Sequence, residues 1–183
     1  MQKEDPRIVR ISKFLSQILR HRPEKIGLSL DANGWAEVAE LLEKSAQKGI
    51  RFDRATLQIV VDTNNKKRFS ISDDGLRIRA NQGHSIDIEL GLKPQRPPEM
   101  LFHGTVEQHL ALIRKDGLLR MRRQHVHLSQ ELETAVAVGG RRGKAIVLQI
   151  KSGEMARQGF LFFLSENGVW LTELVPPAFI EFP

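Results

Sequence analysis

Five of the chain's six histidines lie in four short polar motifs that also hold arginine, glycine, serine or threonine. The motifs cover residues 20–22, 82–85, 103–105 and 125–129, and the last of them holds two histidines. None contains a cysteine or a close carboxylate partner, as a zinc site or a hydrolytic triad usually would. Histidine combined with arginine and glycine is typical of sites that bind and transfer phosphate groups. The pattern therefore predicts an enzyme that acts on a polyanion.

Composition narrows the class of protein. With 183 residues the chain can bury a proper core and form one domain or two small ones. The absence of cysteine excludes disulfides, thiolate zinc sites and a cysteine nucleophile. A net charge of +6 suggests an anionic partner without identifying it. No apolar run approaches the ~20 residues that span a bilayer, and no secretory segment is visible, so we expect a cytoplasmic monomer without membrane contact.

The first half of the chain has the pattern of a winged helix. Apolar spacing predicts a helix over 7–20, and a turn over 31–35 precedes a second helix that ends at Gly49. Asp53 is the expected N-cap of a third helix. Alternating residues on both sides of 73–75 then predict a β-hairpin. Three helices followed by a hairpin is the plan of the winged-helix module, which often binds nucleic acid.

The second half of the chain changes character after a proline-rich stretch over 93–98, which predicts a linker. The predicted domains are therefore 1–92 and 99–183, and the fold class is α+β. The second domain is expected to be a compact mixed α/β lobe, because short apolar strands alternate in it with short helical segments. Strands are predicted at 101–102, 126–128, 145–150, 169–171 and 179–182.

Basic residues follow the first predicted helix and open the predicted hairpin. Arg20 and His21 lie at a helix C-terminus, where the macrodipole favours cations, so simple capping is an equal alternative. Lys66, Lys67 and Arg68 form a charge run, which is most often solvated. If the hairpin folds back beside the first helix, Arg20, His21 and Arg68 converge on one phosphate.

A second polar motif follows the hairpin. Arg79, Gln82, His84 and Ser85 offer donors, and Gly83 permits close approach of a ligand to the backbone. The alternative is a loop that hydrogen-bonds to itself.

Two histidine motifs belong to the second domain. Residues 103–105 are predicted to follow a strand and to precede a helix over 106–115, which suits a ligand at the helix start. In the next strand His127 and Ser129 share one face, as does His125, because side chains alternate with a period of two. His109 is expected on an ordinary helix surface.

Together these motifs resemble the RNA 2′-phosphotransferase family, the Tpt1/KptA type. The resemblance implies a winged-helix RNA-binding lobe joined to an ADP-ribosyltransferase-like lobe that binds NAD. It covers nearly the whole chain, and the motifs are specific jointly but not singly. The matching stretches occur in family order at 13–21, 66–69, 79–85, 103–105, 126–129 and 166–171.

The resemblance also implies roles for individual residues. The catalytic constellation falls on Arg20, His21, Arg68 and Arg123, although the neighbouring Arg122 leaves the last position open. Core packing is the alternative for Val169 and Trp170, and for His125 the alternative to a place in the cofactor site is a position that only flanks it. Residues implied in NAD binding are His103, Gly104, Thr105, His127, Leu128, Ser129, Val169 and Trp170, and those implied in RNA binding are Arg79, Gln82, His84 and Ser85.

The implied reaction has two steps and uses NAD as a co-substrate without a metal. A 2′-phosphate oxygen of an internal RNA phosphate, such as that of a tRNA splice junction, attacks C1″ of the nicotinamide ribose and expels nicotinamide. The 2″-hydroxyl then attacks phosphorus, which releases 2′-hydroxyl RNA and ADP-ribose 1″,2″-cyclic phosphate. Arg20, His21 and Arg68 would hold the phosphate, Arg123 would stabilise charge at phosphorus, and His21 is the expected acid–base group.

A hydrophobic residue at the position where many ADP-ribosyltransferases have a glutamate agrees with this chemistry. A glutamate would repel a phosphate nucleophile, and Val169 is the candidate for the hydrophobic position. Glu166 and Glu173 lie close to Val169 in sequence, so a catalytic acid at one of these two positions is the alternative.

Two other functions are alternatives to RNA 2′-phosphate removal. One is an ADP-ribosyltransferase acting on a nucleic-acid 5′-phosphate or on a protein. The other is a winged-helix transcription regulator, which would need a polar third helix. Ala55, Leu57, Ile59, Val60 and Val61 leave that helix little reading face.

Overall fold

The computed structural model describes residues 5–64 and 67–183. These ranges hold six α-helices and eleven short strands, and every strand pair within them is antiparallel. The prediction of a mixed α+β protein is therefore confirmed. The chain divides into two compact units, Met1–Gly91 and Leu92–Pro183.

Capping residues fix two of the three helices of the first unit. Asp5 accepts a hydrogen bond from the Arg7 N–H, and Asp53 accepts one from the Thr56 N–H, as predicted for Asp53. Val38, Leu41, Leu57 and other apolar residues of the three helices form a core with Ile78 of the hairpin. The elements are α1 (Pro6–Arg20), β1 (Ala36–Glu37), α2 (Val38–Gln47), α3 (Arg54–Asp62), β2 (Phe69–Ile71) and β3 (Arg77–Ala80).

The predicted hairpin is confirmed and gains a third strand. Strands β2 and β3 pair around a turn in which Asp74 accepts hydrogen bonds from the Leu76 N–H and the Ser72 hydroxyl. Strand β1 was not predicted, and it pairs with the other edge of β3, where Ala36 lies opposite Ile78. Two residues are too short for a period-two pattern to be visible in the sequence.

The second unit contains two three-stranded sheets and one two-stranded sheet, with the strand orders β11-β7-β4, β6-β9-β8 and β10-β5. The two larger sheets are linked because the backbones of Phe102 and Ser129 exchange two hydrogen bonds of 2.8 Å. The strands are β4 (Leu101–Thr105), β5 (Leu118–Leu119), β6 (Val126–Leu128), β7 (Ile146–Ile150), β8 (Phe162–Leu164), β9 (Trp170–Thr172), β10 (Leu174–Val175) and β11 (Ile180–Glu181). The helices are α4 (Glu107–Asp116), α5 (Leu132–Gly139) and α6 (Ser152–Arg157).

Three local expectations differ from the structure. Residues 103–105 lie inside β4 rather than after a strand, because the ladder with β7 continues to Thr105 opposite Ile146. The stretch 93–98 lies within the second unit, where the Gln95 N–H donates to the Phe162 carbonyl at 2.8 Å. That contact uses β8, a strand that was not predicted.

Gly104 lets a helix lie directly on β4. A Cβ atom on Gly104 would overlap the carbonyl oxygen of Ala135 in α5, and a Cβ on Gly139 would come within 2.9 Å of the Thr105 carbonyl oxygen. The space at Gly104 that a side chain would need is thus filled by α5.

Within the described ranges, no helix combines the length and the apolar character that crossing a membrane requires.

We expect Gly104→Ala to lower the free energy of unfolding by about 1–3 kcal/mol, because the new methyl group forces α5 off β4. Gly140→Ala is the matched control, since Gly140 has φ −60° and a Cβ there meets nothing within 4 Å. Urea unfolding of both variants measures the difference. Equal stability of the two variants would show that α5 does not depend on this contact.

Candidate functional site

The end of α1 meets the polar motif that follows the hairpin. The Ser85 N–H donates to the Arg20 carbonyl oxygen at 2.9 Å, and the Ser85 hydroxyl lies 2.9 Å from Nδ1 of His21. His21 caps α1 and is exposed. The structure therefore brings Ser85 to the adjacent residues Arg20 and His21, although more than 60 residues separate them in sequence.

His84 is buried beside these residues and is 1% exposed. Neither ring nitrogen has a hydrogen-bond partner among the described residues. Burial, together with the nearby charges of Arg20, His21 and Arg79, lowers the pKa of His84 to about 4. His84 is thus a neutral imidazole within a cluster of cations at neutral pH.

Aromatic rings hold two guanidinium groups of this cluster. The Arg79 guanidinium carbon lies 4.6 Å from the centroid of the Trp35 ring, and that of Arg20 lies 6.0 Å from the Phe69 ring. A guanidinium over a ring face is stabilised by the ring quadrupole and keeps its edge for other donors and acceptors. The sequence pattern predicts Trp35 only as part of a turn and does not indicate this role. The signal was available, because Trp35 is one of only two tryptophans in the chain.

Arg68 is positioned by the two asparagines at the ends of the hairpin. Its Nη1 donates to Asn64 Oδ1 at 3.1 Å, and its carbonyl oxygen accepts from the Asn81 N–H at 2.9 Å. The buried Asn81 side chain donates to the Lys67 carbonyl and accepts from the Ser70 hydroxyl. Asn81 was not predicted as a site residue. Lys66 lies outside the described residues.

The predicted convergence of Arg68 with Arg20 has partial geometric support. The ring over which Arg20 lies belongs to Phe69, the residue after Arg68. Gln82 is half-buried next to His84, and its Oε1 has no partner among the described residues.

In the second unit a line of hydrogen bonds connects His103, His127 and Arg123. Nδ1 of His103 lies 3.0 Å from the His127 carbonyl oxygen, and Nη1 of Arg123 lies 2.8 Å from Nδ1 of His127. The linked backbones of Phe102 and Ser129 place the two histidine-bearing strands side by side. The structure thus brings together three residues predicted from separate motifs.

These contacts fix the tautomers of both histidines. A carbonyl oxygen can only accept, so His103 donates from Nδ1 and its neutral ring has a lone pair at Nε2. Burial lowers the pKa of His103, and the charge of Arg123 acts in the same direction. A guanidinium can only donate, so Nδ1 of His127 accepts and the proton of the neutral ring is at Nε2.

Arg123, rather than Arg122, contacts His127. A tight turn positions it, with the Arg123 N–H donating to the Arg120 carbonyl at 3.0 Å and Met121 at φ +54°. Arg122 is exposed.

The strand pairing divides the other predicted NAD-binding residues between two faces. His127 lies opposite Leu171, and Phe163 lies on the other side of Leu171, so these three side chains share a face. Leu128 and Trp170 lie opposite each other on the other face and are buried in the core of the second unit. Both side chains therefore belong to the core, and for Trp170 core packing was the stated alternative to a role in NAD binding.

The remaining predicted residues lie at the edges of this face. Thr105 is buried at the end of β4, and Ser129 contributes its backbone to the link with Phe102. Val169 is half-buried at the end of a loop in which its N–H donates to the Ser165 hydroxyl at 3.0 Å. Glu166 and Glu173 are both exposed.

Comparison with known proteins identifies relatives over nearly the whole length of the chain. Residues 6–174 match the family described as RNA 2′-phosphotransferase, Tpt1/KptA family. A probable RNA 2′-phosphotransferase from Flavobacterium johnsoniae is 58% identical over 94% of both chains. Proteins with the same description from Burkholderia pseudomallei and Streptomyces coelicolor are 52% and 49% identical, over 95% and 100% of this chain and 95% and 98% of their own.

Acid should destabilise the first unit, because the unfolded chain binds a proton at His84 that the folded chain does not. The stability that the folded protein gains by keeping His84 neutral is fully present above the ordinary pKa of 6.5, and it is lost as the pH falls towards about 4. Between pH 7.5 and pH 5 the loss is on the order of 2 kcal/mol. Urea unfolding, followed by the amide resonances of the first unit, measures it.

His84→Gln cannot take up this proton and should lose correspondingly less stability over the same pH range. His109→Gln is the control, because His109 is a half-buried histidine of α4 in the other unit. An NMR titration that placed the pKa of His84 near 6.5 would contradict the account.

Proposed function

The chain belongs to the RNA 2′-phosphotransferase family, and on that premise we propose that it removes an internal 2′-phosphate from RNA with NAD as co-substrate. A phosphate at a tRNA splice junction is the expected physiological example. The observation that carries the proposal is the line from Arg123 through His127 to His103, because it combines a permanent cation with two imidazoles of fixed tautomer.

Arg20, His21 and Arg68 are proposed to hold the 2′-phosphate. A phosphate monoester carries close to two negative charges at neutral pH, and guanidinium groups bind it with short, charge-assisted hydrogen bonds. The cation–ring contact of Arg20 and the Asn64 contact of Arg68 support this role, because they hold both side chains in place before the phosphate binds. Exposed His21 is proposed to exchange the proton in the second step.

Arg79, Gln82, His84 and Ser85 are proposed to support the RNA side of the reaction. Ser85 contacts His21 directly, and Arg79 lies on Trp35. Neutral His84 lets the cluster stay compact, because a further buried charge among these cations would be costly.

The second unit is proposed to hold NAD. His103 and His127 offer one lone pair and one N–H in fixed positions, and Thr105, Ser129 and Val169 border them. Gly104, Leu128 and Trp170 have side-chain positions occupied by packing, so their contribution is limited to backbone groups. Val169 suits an acceptor that is itself an anion, since a carboxylate at this place would repel it.

The proposed reaction balances without a metal or a redox partner. An oxygen of the 2′-phosphate forms a bond to C1″ of the nicotinamide ribose as nicotinamide leaves. The 2″-hydroxyl then attacks phosphorus, the RNA leaves as its 2′-hydroxyl form, and ADP-ribose 1″,2″-cyclic phosphate is released. Arg123 is proposed to stabilise the charge that develops at phosphorus.

The family premise also suggests a fold assignment for each unit. Three helices and a three-stranded sheet support a winged-helix assignment for the first unit. We propose an ADP-ribosyltransferase-like fold for the second.

The function is tested by incubating the protein with NAD and an RNA that carries one internal 2′-phosphate. We expect one nicotinamide to be released for each 2′-phosphate lost. The same RNA without the phosphate, and an RNA with only a 5′-phosphate, are the controls. If nicotinamide were released only with the 5′-phosphate RNA, the result would favour ADP-ribosylation of a 5′-phosphate and contradict the proposal.

Arg123→Ala should lower kcat for phosphate removal by about 10²–10³-fold, because it deletes the cation at phosphorus. The matched control is Arg122→Ala, which removes an equal charge from an exposed neighbour and should change kcat less than about threefold. Full activity of Arg123→Ala, together with loss of activity in Glu173→Ala, would show that the catalytic group has been misassigned.

A further inference from the structure

A half-open cavity of about 540 Å³ lies in the second unit beyond the predicted NAD-binding residues. Its walls combine aromatic rings with polar groups that no motif had singled out together. Its principal lining residues are Arg120, His125, Phe160, Leu161, Phe163 and Glu173.

The cavity continues the sheet face that carries His127. His125 lies two residues before His127, and Glu173 lies two residues after Leu171, the partner of His127 in β9. Two residues along a strand span about 7 Å. The cavity therefore begins about one strand repeat from the histidine that Arg123 contacts, on the side away from Ser129.

The lining groups suit a flat, polar ring. His125 and Phe163 lie edge to face with 5.7 Å between their ring centroids, so each ring has a surface that is not covered by the other. Burial lowers the pKa of His125, so its neutral imidazole has both a donor and an acceptor. The Glu173 carboxylate is an acceptor at the same wall.

The lining of the cavity combines positive charge with an exposed apolar side chain. Arg120 is exposed, and Leu161 is 58% exposed. An exposed guanidinium beside an apolar wall suits a phosphodiester that leads to a bound base.

We propose that this cavity binds a base of the RNA substrate, from a nucleotide next to the one that carries the 2′-phosphate. The assignment rests on the proposed function for the identity of the ligand. Single-stranded RNA is commonly bound by stacking of splayed bases on aromatic or histidine rings, while arginine contacts the backbone. Arg120 would take the phosphate that follows the bound base.

The test uses three RNA oligonucleotides, each with one internal 2′-phosphate. One is unmodified, and the others have an abasic residue on the 5′ or the 3′ side of the phosphorylated nucleotide. For the wild-type protein we expect one abasic substrate to lose about tenfold in kcat/KM, the effect of removing one stacked base. The kcat/KM for the other abasic substrate should equal that for the unmodified RNA, and the KM for NAD should be the same with all three RNAs.

Variants connect this loss to the cavity. His125→Ala and Arg120→Ala should each lower kcat/KM for the unmodified RNA by about 3- to 10-fold. In His125→Ala the abasic RNA and the unmodified RNA should have the same kcat/KM. His125→Phe should restore most of the binding if stacking is its source. His109→Ala and Lys115→Ala are matched controls on α4, outside the cavity lining.

Several outcomes would overturn the assignment. Equal kcat/KM for the three RNAs would show that no neighbouring base is bound, and a raised KM for NAD in His125→Ala would assign the cavity to NAD. Equilibrium binding of the same labelled RNAs separates this inference from the reaction. Base-dependent binding without nicotinamide release would keep the cavity assignment and overturn the proposed function.

Discussion

The hydrogen bonds between the backbones of Phe102 and Ser129 are the interaction on which the candidate site of the second unit depends. They join two sheets whose other strands pair separately, and they place the strand of His103 beside the strand of His127. Once these strands are neighbours, the carbonyl of His127 can accept from His103 and its ring can accept from Arg123. Packing of α5 against Gly104 keeps β4 in this place.

In the first unit the corresponding constraint is electrostatic. The guanidinium groups of Arg20 and Arg79 act on the buried imidazole of His84, which stays neutral because burial and the neighbouring charges both oppose its protonation. Aromatic rings under Arg20 and Arg79 hold those guanidiniums without neutralising them. Such a cluster gains most from a multiply charged anion, which agrees with a phosphate monoester as ligand.

The sequence was sufficient to predict those elements that are determined by residues close together in the chain. The period of α1, the N-cap Asp53 and the turn at 73–75 each depend on neighbouring residues, and all were confirmed. Strands β1, β5, β8 and β10 were missed, because short strands are fixed by their partners rather than by their own pattern. The positions of Leu128 and Trp170 in the core, and the steric reason for Gly104, likewise depend on elements distant in the sequence.

The fate of the phosphorus atom tests the central claim most directly. An RNA labelled with ³²P only in its internal 2′-phosphate is incubated with NAD, and the labelled products are separated. The account predicts that the label leaves the RNA as ADP-ribose 1″,2″-cyclic phosphate, and only when NAD is present. Label recovered as inorganic phosphate, or release that does not need NAD, would contradict it.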